Sequence, residues 1–202
     1  RGEVSLSSTH EQILGGPTGQ VYQGCLFPAY ARYRARLHDA GLRVGRVLAD
    51  KGVVSRFSVD FVARRDAGGP ERNVLALEVN LRMGGTTHPM LALRFLTGGR
   101  LDPETGLFRS PSGLVKYYRA TDNLHSDAYQ GILPEDLVEI LTVNRLHYGH
   151  ATETGVLFHM IGGISEFGKV GMLAIGNSRE AAAALYDRTV AILDAETRYG
   201  RS

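Results

Sequence analysis

The alternation of apolar and polar positions divides the chain into short strands and a few helices. Residues 3–8 alternate as a strand, and Gly15, Gly16, Pro17 and Gly19 form a turn before a second strand at 20–26. Pro28 suits the first position of a helix. Tyr30, Tyr33, Arg34 and Leu37, then Val44, Val47 and Leu48, recur at helical spacing on either side of a break near Gly41, which predicts two short helices ended by Gly52. Two β-rich runs, 55–64 and 73–81, flank the Gly/Pro loop 66–70, and a short helix follows at 89–96. The stretch 97–113 holds four Gly and two Pro and reads as a surface connection that separates a first unit, 1–100, from a second, 113–202. The second unit shows strands at 114–120, 155–160 and 170–175, a helix at 134–142, and a last helix capped by Ser178. Glu180 falls in the first turn of that helix, with Ala181, Leu185 and Ile192 on one face. The class this implies is α+β.

Composition narrows the picture without changing it. Of 202 residues, 43% are hydrophobic and 22% charged, the balance of a globular chain able to bury a core. A net charge of +2 with no clustered Lys and Arg argues against a nucleic-acid partner. No apolar run approaches the ~20 residues that cross a bilayer, which argues against a membrane. Cys25 stands alone, so it has no disulfide partner within the chain and reads as a small buried hydrophobe in a reducing, cytoplasmic setting. The start on Arg1, directly before strand-like sequence, suggests a fragment of a longer protein.

Residues 56–82 carry the chemistry. Facing residues of an antiparallel hairpin have numbers with a constant sum, and a turn centred on Gly69 sets that sum at 138. Asp60 then faces Glu78, Ser58 faces Asn80 and Arg56 faces Arg82, all six side chains on one face, while Val59, Phe61, Ala63, Leu75, Leu77, Val79 and Leu81 line the other, packed on helices. Two facing carboxylates, their Cβ atoms ~5 Å apart, repel by roughly 3 kcal/mol at an effective dielectric of about 20. That repulsion calls for a cation. Magnesium takes hard oxygen ligands from one or two carboxylates and leaves positions open for phosphate. Asn80 adds a carbonyl oxygen, and Arg82 and Arg56 could hold a phosphate or a developing oxyanion. The residues alone leave a second reading open, a solvated salt-bridge face on an amphipathic hairpin.

Other candidates carry less. Gly84, Gly85 and Thr86 could bring backbone N–H groups to a phosphate or a substrate carboxylate before the helix at Pro89, or simply make a tight turn capped by Thr. The glycines at 15–19 lack the Lys-Ser or Lys-Thr of a phosphate loop. His147 and His150 have metal-like spacing but no further ligand nearby in sequence, His88 reads as structural, and His159 as a core histidine. Ser178 with Asn177 reads as ordinary helix capping.

At this point the chain resembles the ATP-grasp superfamily. Val59, Asp60 and Phe61, followed by the run Leu-Glu-Val-Asn-Leu-Arg at 77–82, look like that superfamily's last two metal-binding strands. The resemblance implies that Asp60, Glu78 and Asn80 hold the magnesium ions bridging the ATP phosphates and that Arg82 stands beside an acyl-phosphate. The wider phrase at 80–89, with Ser-Thr-His-Glu-Gln at 8–12 and Gly-Val-Leu-Phe-His at 155–159, resembles the peptide ligases of the pheganomycin type, which have an extra C-terminal domain. The fold implied is an ATP-grasp C-terminal subdomain, a largely antiparallel sheet with packed helices, followed by a small α+β domain. The function implied is ATP-dependent ligation of a carboxylate to an amine, with ATP and Mg2+. A non-catalytic binding or scaffold module of the same fold is the alternative. The appended unit would shape the substrate cleft or make a homo-oligomer contact.

Overall fold

The computed structural model describes residues 2–65 and 72–199. In chain order its elements are β1 (Glu11–Gly15), β2 (Val21–Phe27), α1 (Ala31–Asp50), β3 (Ser58–Arg65), β4 (Arg72–Asn80), α2 (Thr87–Thr97), β5 (Arg100–Leu101), β6 (Phe108–Arg109), β7 (Val115–His125), α3 (Pro134–Val143), β8 (Gly155–His159), α4 (Ile164–Phe167), β9 (Lys169–Gly176) and α5 (Arg179–Tyr199). Seven strands form one antiparallel sheet in the order β1-β2-β7-β6-β5, with β9 also on β7 and β8 on β9; β3 and β4 form a separate hairpin. The mixed α+β class holds. The main sheet draws strands from both sides of the 97–113 connection, which itself supplies β5 and β6.

β9 explains the layering. It is a continuous apolar run, as a strand covered on both faces must be. Leu173 and Ile175 point into a core with Cys25, Phe27, Met90, Leu93, Phe108 and Tyr118, so α2 covers that face. Val170, Met172 and Ala174 point the other way, toward Leu137 and Ile140 of α3 and Tyr186 and Leu193 of α5. Phe27 and Tyr118 stack with centroids 5.0 Å apart at the centre of the first core.

Several local expectations are corrected. Residues 3–8 alternate in exposure but join no ladder; Val4 instead lies against Gly45 of α1, where a Cβ would come within 2.6 Å of it. The helix after Pro28 begins at Ala31, because residues up to Tyr30 stay extended and the Tyr30 N–H is taken by the Glu11 carboxylate at 2.7 Å. It runs unbroken through Gly41 for 20 residues, since burial of Tyr33, Ala40 and Gly45 outweighs the ~1 kcal/mol that one helical glycine costs. Gly52 does end it, at φ 82°. The buried stripe of α5 is Ala182, Tyr186, Thr189 and Leu193, one residue along from the expected face, with Ala181 exposed. Thr189 conceals that stripe in the sequence: its hydroxyl donates to the Leu185 carbonyl, which lets a polar residue sit in an apolar position. The Ser178 cap is present, its Oγ accepting from the Ala181 N–H at 3.0 Å.

Gly24 sits at φ 144°, and a Cβ there would run into the Ala120 carbonyl oxygen of β7. Gly24→Ala should therefore lower stability by at least about 2 kcal/mol, read as a fall in the denaturation midpoint; an unchanged midpoint would show that β2 can move off β7.

Candidate functional site

The ladder of β3 and β4 pairs Ser58 with Asn80, Val59 with Val79 and Asp60 with Glu78, the register that a sum of 138 requires. The turn at Gly69 lies outside the described residues. Between Asp60 and Phe61 the register shifts, so that Phe61 faces Ala76 and Arg64 faces Asn73, leaving Leu77 as the extra residue of a β-bulge. The bulge exchanges the faces of β4. Beyond it Phe61 and Ala63 lie on the side of Ala76 and Val74, not with Leu75 and Leu77 as uninterrupted alternation predicts. Of the expected apolar face, Val59, Phe61 and Ala63 are half-buried and α1 lies against the hairpin, while Leu75, Leu77, Val79 and Leu81 are 41% to 69% exposed. Arg56 precedes β3 and is exposed, so the expected Arg56–Arg82 pair is not part of the ladder. The chain also turns at that end, where the Arg82 N–H bonds the Asn80 carbonyl at 2.8 Å.

Asp60 is the best-connected group on this face. Its carboxylate accepts from Gln12 Nε2 at 3.2 Å and from Asn80 Nδ2 at 3.5 Å. Partial burial and then the charge of Glu78 push its carboxyl above the usual carboxylate range, and the Arg82 guanidinium pulls it back. The facing carboxylates therefore do repel. Asn80 offers its amide nitrogen to Asp60, so its expected role as an oxygen ligand needs a half-turn of the amide. Gln12, from β1, is a residue that sequence reasoning did not place here, because nothing in a local pattern shows which strand lies over the hairpin. Among the described residues no group of three or more His, Cys, Asp or Glu could hold a metal. The hairpin's two carboxylates and the Asn80 amide, with Gln12 from β1, make a hard-oxygen set that suits a divalent cation completing its shell with phosphate and water rather than a zinc ion.

The turn after the hairpin is held at both ends. The Gly84 N–H donates to Thr87 Oγ1 at 3.2 Å and the Thr87 N–H to the Gly84 carbonyl at 2.9 Å. Thr86 occupies the N-cap of α2 without a side-chain cap bond, so Thr87 is the threonine that closes the turn. Gly85 packs on Tyr22, whose ring would lie 3.1 Å from a Cβ at that position. The Gly15–Gly19 segment is a plain hairpin turn, with the Gly19 N–H on the Gly16 carbonyl at 3.1 Å.

Elsewhere the polar groups are mostly internal ties. Burial lowers His10 to about 3 and raises the Cys25 thiol to about 12. Cys25 should then react only slowly with a thiol reagent in the native chain and fully once denaturant is added; rapid native labelling would contradict its burial. Lys116, buried in β7, and Glu153 form an ion pair at 3.1 Å that the strand pattern alone did not disclose. His88 and His159 lie ring against ring, centroids 4.2 Å apart.

With this geometry the chain can be assigned. Residues 1–104, half of its length, match the family model described as IQCH-like, ATP-grasp, and the chain belongs to that ATP-grasp-like family. Residues 136–189 match the model of the PGM1 C-terminal domain, a small additional domain. The chain is also similar to L-propargylglycine–L-glutamate ligase of Streptantibioticus cattleyicolor, with 38% identity over 181 residues, covering 90% of this chain and 36% of that protein. The chain thus spans about a third of that relative's length. No solved structure matches it. No helix among the described residues is long and apolar enough to cross a membrane.

Proposed function

We propose that the protein carrying this chain is an ATP-dependent carboxylate–amine ligase of the peptide-forming, pheganomycin type, with amino acids as substrates. The observation that carries the reading is the pairing of Asp60 with Glu78, with Gln12 and Asn80 on the Asp60 carboxylate. In this reading ATP phosphorylates a carboxylate, and an amine displaces phosphate from the acyl-phosphate to give an amide. Asp60, Glu78 and Asn80 would hold magnesium, which neutralises charge on the transferred phosphoryl group. Arg82, close enough to act on Asp60, stabilises the phosphoryl and tetrahedral charge; Arg56 belongs to the same end of the hairpin. The turn of Gly84, Gly85 and Thr86 lies beside them, against the substrate or phosphate. We assign the ligase unit to 1–100 and the appended unit to 113–202, the two sharing one sheet, in a cytoplasmic enzyme. Incubation of the intact enzyme with ATP and an amino-acid panel should release ADP only with a productive pair; no release with any pair contradicts the reading.

The 202-residue chain alone should bind Mg-ATP weakly and ligate nothing. Before the hairpin it has no glycine-rich loop followed by Lys, and residues 1–60 contain one lysine, Lys51. A single carboxylate pair holds magnesium poorly without phosphate to complete the octahedron. Calorimetric titration with Mg-ATP checks this, and tight binding would move the nucleotide site onto the glycines at 15–19 or 84–85.

A further inference from the structure

His88 and His159 are 71 positions apart, one in the first turn of α2 and the other closing β8, yet their rings meet at 4.2 Å with planes tilted by 34°. The metal face uses neither. The space for His159 is made by Gly171, its ladder partner on β9, where any Cβ would strike the imidazole. Its Nε2 is buried without a partner, its ring is hydrogen-bonded to the Thr121 backbone, and burial together with His88 holds it below the ordinary histidine range, hence neutral. His88 is the exposed member of the pair. It directly follows Thr87, whose bonds to Gly84 close the turn. A Cβ on Gly84 would stand 3.9 Å from Oγ of Ser58, the ladder partner of Asn80. His88 is therefore one short turn from the Asp60 and Glu78 face. The charge of Asp122 on β7 reaches His159, and Tyr22 on β2 packs on Gly85 in the turn before His88.

We propose that His88 is the proton acceptor for the attacking amine, with His159 as the positioning residue behind it; this rests on the ligase reading above. Imidazole is the ordinary side chain that takes and gives a proton near neutral pH. The amino-acid nitrogen approaches the exposed ring of His88 and loses a proton to it. The nitrogen lone pair forms the C–N bond at the acyl-phosphate carbonyl, the C–O bond to phosphate breaks, and inorganic phosphate leaves with that electron pair and takes up the second proton that the nitrogen must lose to become an amide. The proton on His88 returns to solvent. His159, neutral and wedged over Gly171, fixes the ring's orientation without placing a second charge beside it.

The test separates proton removal from acyl-phosphate formation. Hydroxylamine is already unprotonated at neutral pH and needs no base, so it traps the acyl-phosphate as a hydroxamate. In the intact enzyme His88→Asn should lower amide formation from the amino acid about 100-fold, the low end of general-base effects, while hydroxamate formation stays within about threefold. Gly171→Ala, which displaces His159 and leaves His88 in place, should give the same split with a smaller loss. Equal losses of hydroxamate and amide, or no loss of either, overturn the inference and leave the ligase reading standing. A wild-type enzyme that makes no hydroxamate contradicts both.

Discussion

Glu78→Gln in the intact enzyme is expected to lower turnover by about 100- to 1000-fold, the size of effect seen when one electrostatic contact to a transition state is removed, while the protein stays folded. The second half of that expectation follows from the strain already present. Asp60 faces Glu78 across the ladder and its carboxyl is raised, first by burial and then by the Glu78 charge. A carboxyl whose folded-state value is raised holds its proton more tightly in the folded chain than in the unfolded one. Stability therefore falls as pH rises through that folded value. Replacing Glu78 by an isosteric amide removes the part of this penalty that the Glu78 charge supplies, so the denaturation midpoint at neutral pH should stay level or rise. Steady-state kinetics and a thermal melt on the same sample decide the matter. A variant that unfolds would mean that the carboxylates serve a structural ion-pair network instead.

Lys116→Met is expected to have the largest effect on stability, roughly 3 kcal/mol or more. The Lys116 side chain is 0% exposed, and its ammonium meets Asn177 Oδ1 at 2.7 Å, the Glu153 carbonyl at 3.0 Å and Glu153 Oε2 at 3.1 Å. A thioether fills the volume but leaves Asn177 Oδ1 and the Glu153 carbonyl without this donor and the Glu153 carboxylate, still bonded by Ser112, without its cation. The pair ties the loop before β8 to β7 and to the start of α5, so its loss should loosen the additional domain first. Hydrogen bonds from Ser110 and Ser112, then Lys116, hold the Glu153 carboxyl down at about 2. A depressed carboxyl contributes stability above its unfolded value of 4.5 and loses it as pH falls toward about 2. Melts at pH 7 and pH 3 should accordingly differ more for the native chain than for Lys116→Met. An equal acid sensitivity in both would contradict this role for the ion pair.

What could be read from the sequence was what depends on neighbours along the chain. The period-2 pattern on each side of the 66–70 loop was enough to place Asp60 opposite Glu78, because register near the open end of a hairpin follows from which residues must share a face. The same arithmetic missed the bulge at Leu77, since one extra residue changes the sum by one and leaves each strand's own alternation intact. Residues 3–8 alternate like a strand but join no ladder, and Val4 lies instead against Gly45 of α1. Gly41 looked like a helix break, yet packing on both sides of it carried α1 through. Contacts across long separations left no local trace. Gln12 on Asp60, Lys116 on Glu153 and His88 on His159 each join elements that only the sheet order brings together.

The most direct measurement on the proposed cation site at Asp60 and Glu78 is a manganese titration of the 202-residue chain followed by NMR, with Mn2+ standing in for Mg2+ because its unpaired electrons broaden signals around the site even when binding is weak. Broadening should centre on the backbone amides of residues 58–60 and 78–80 and on the side-chain amides of Gln12 and Asn80, and Asp60→Asn with Glu78→Gln should abolish it. Broadening centred elsewhere, or unchanged in the double variant, would show that Asp60 and Glu78 do not form the cation site.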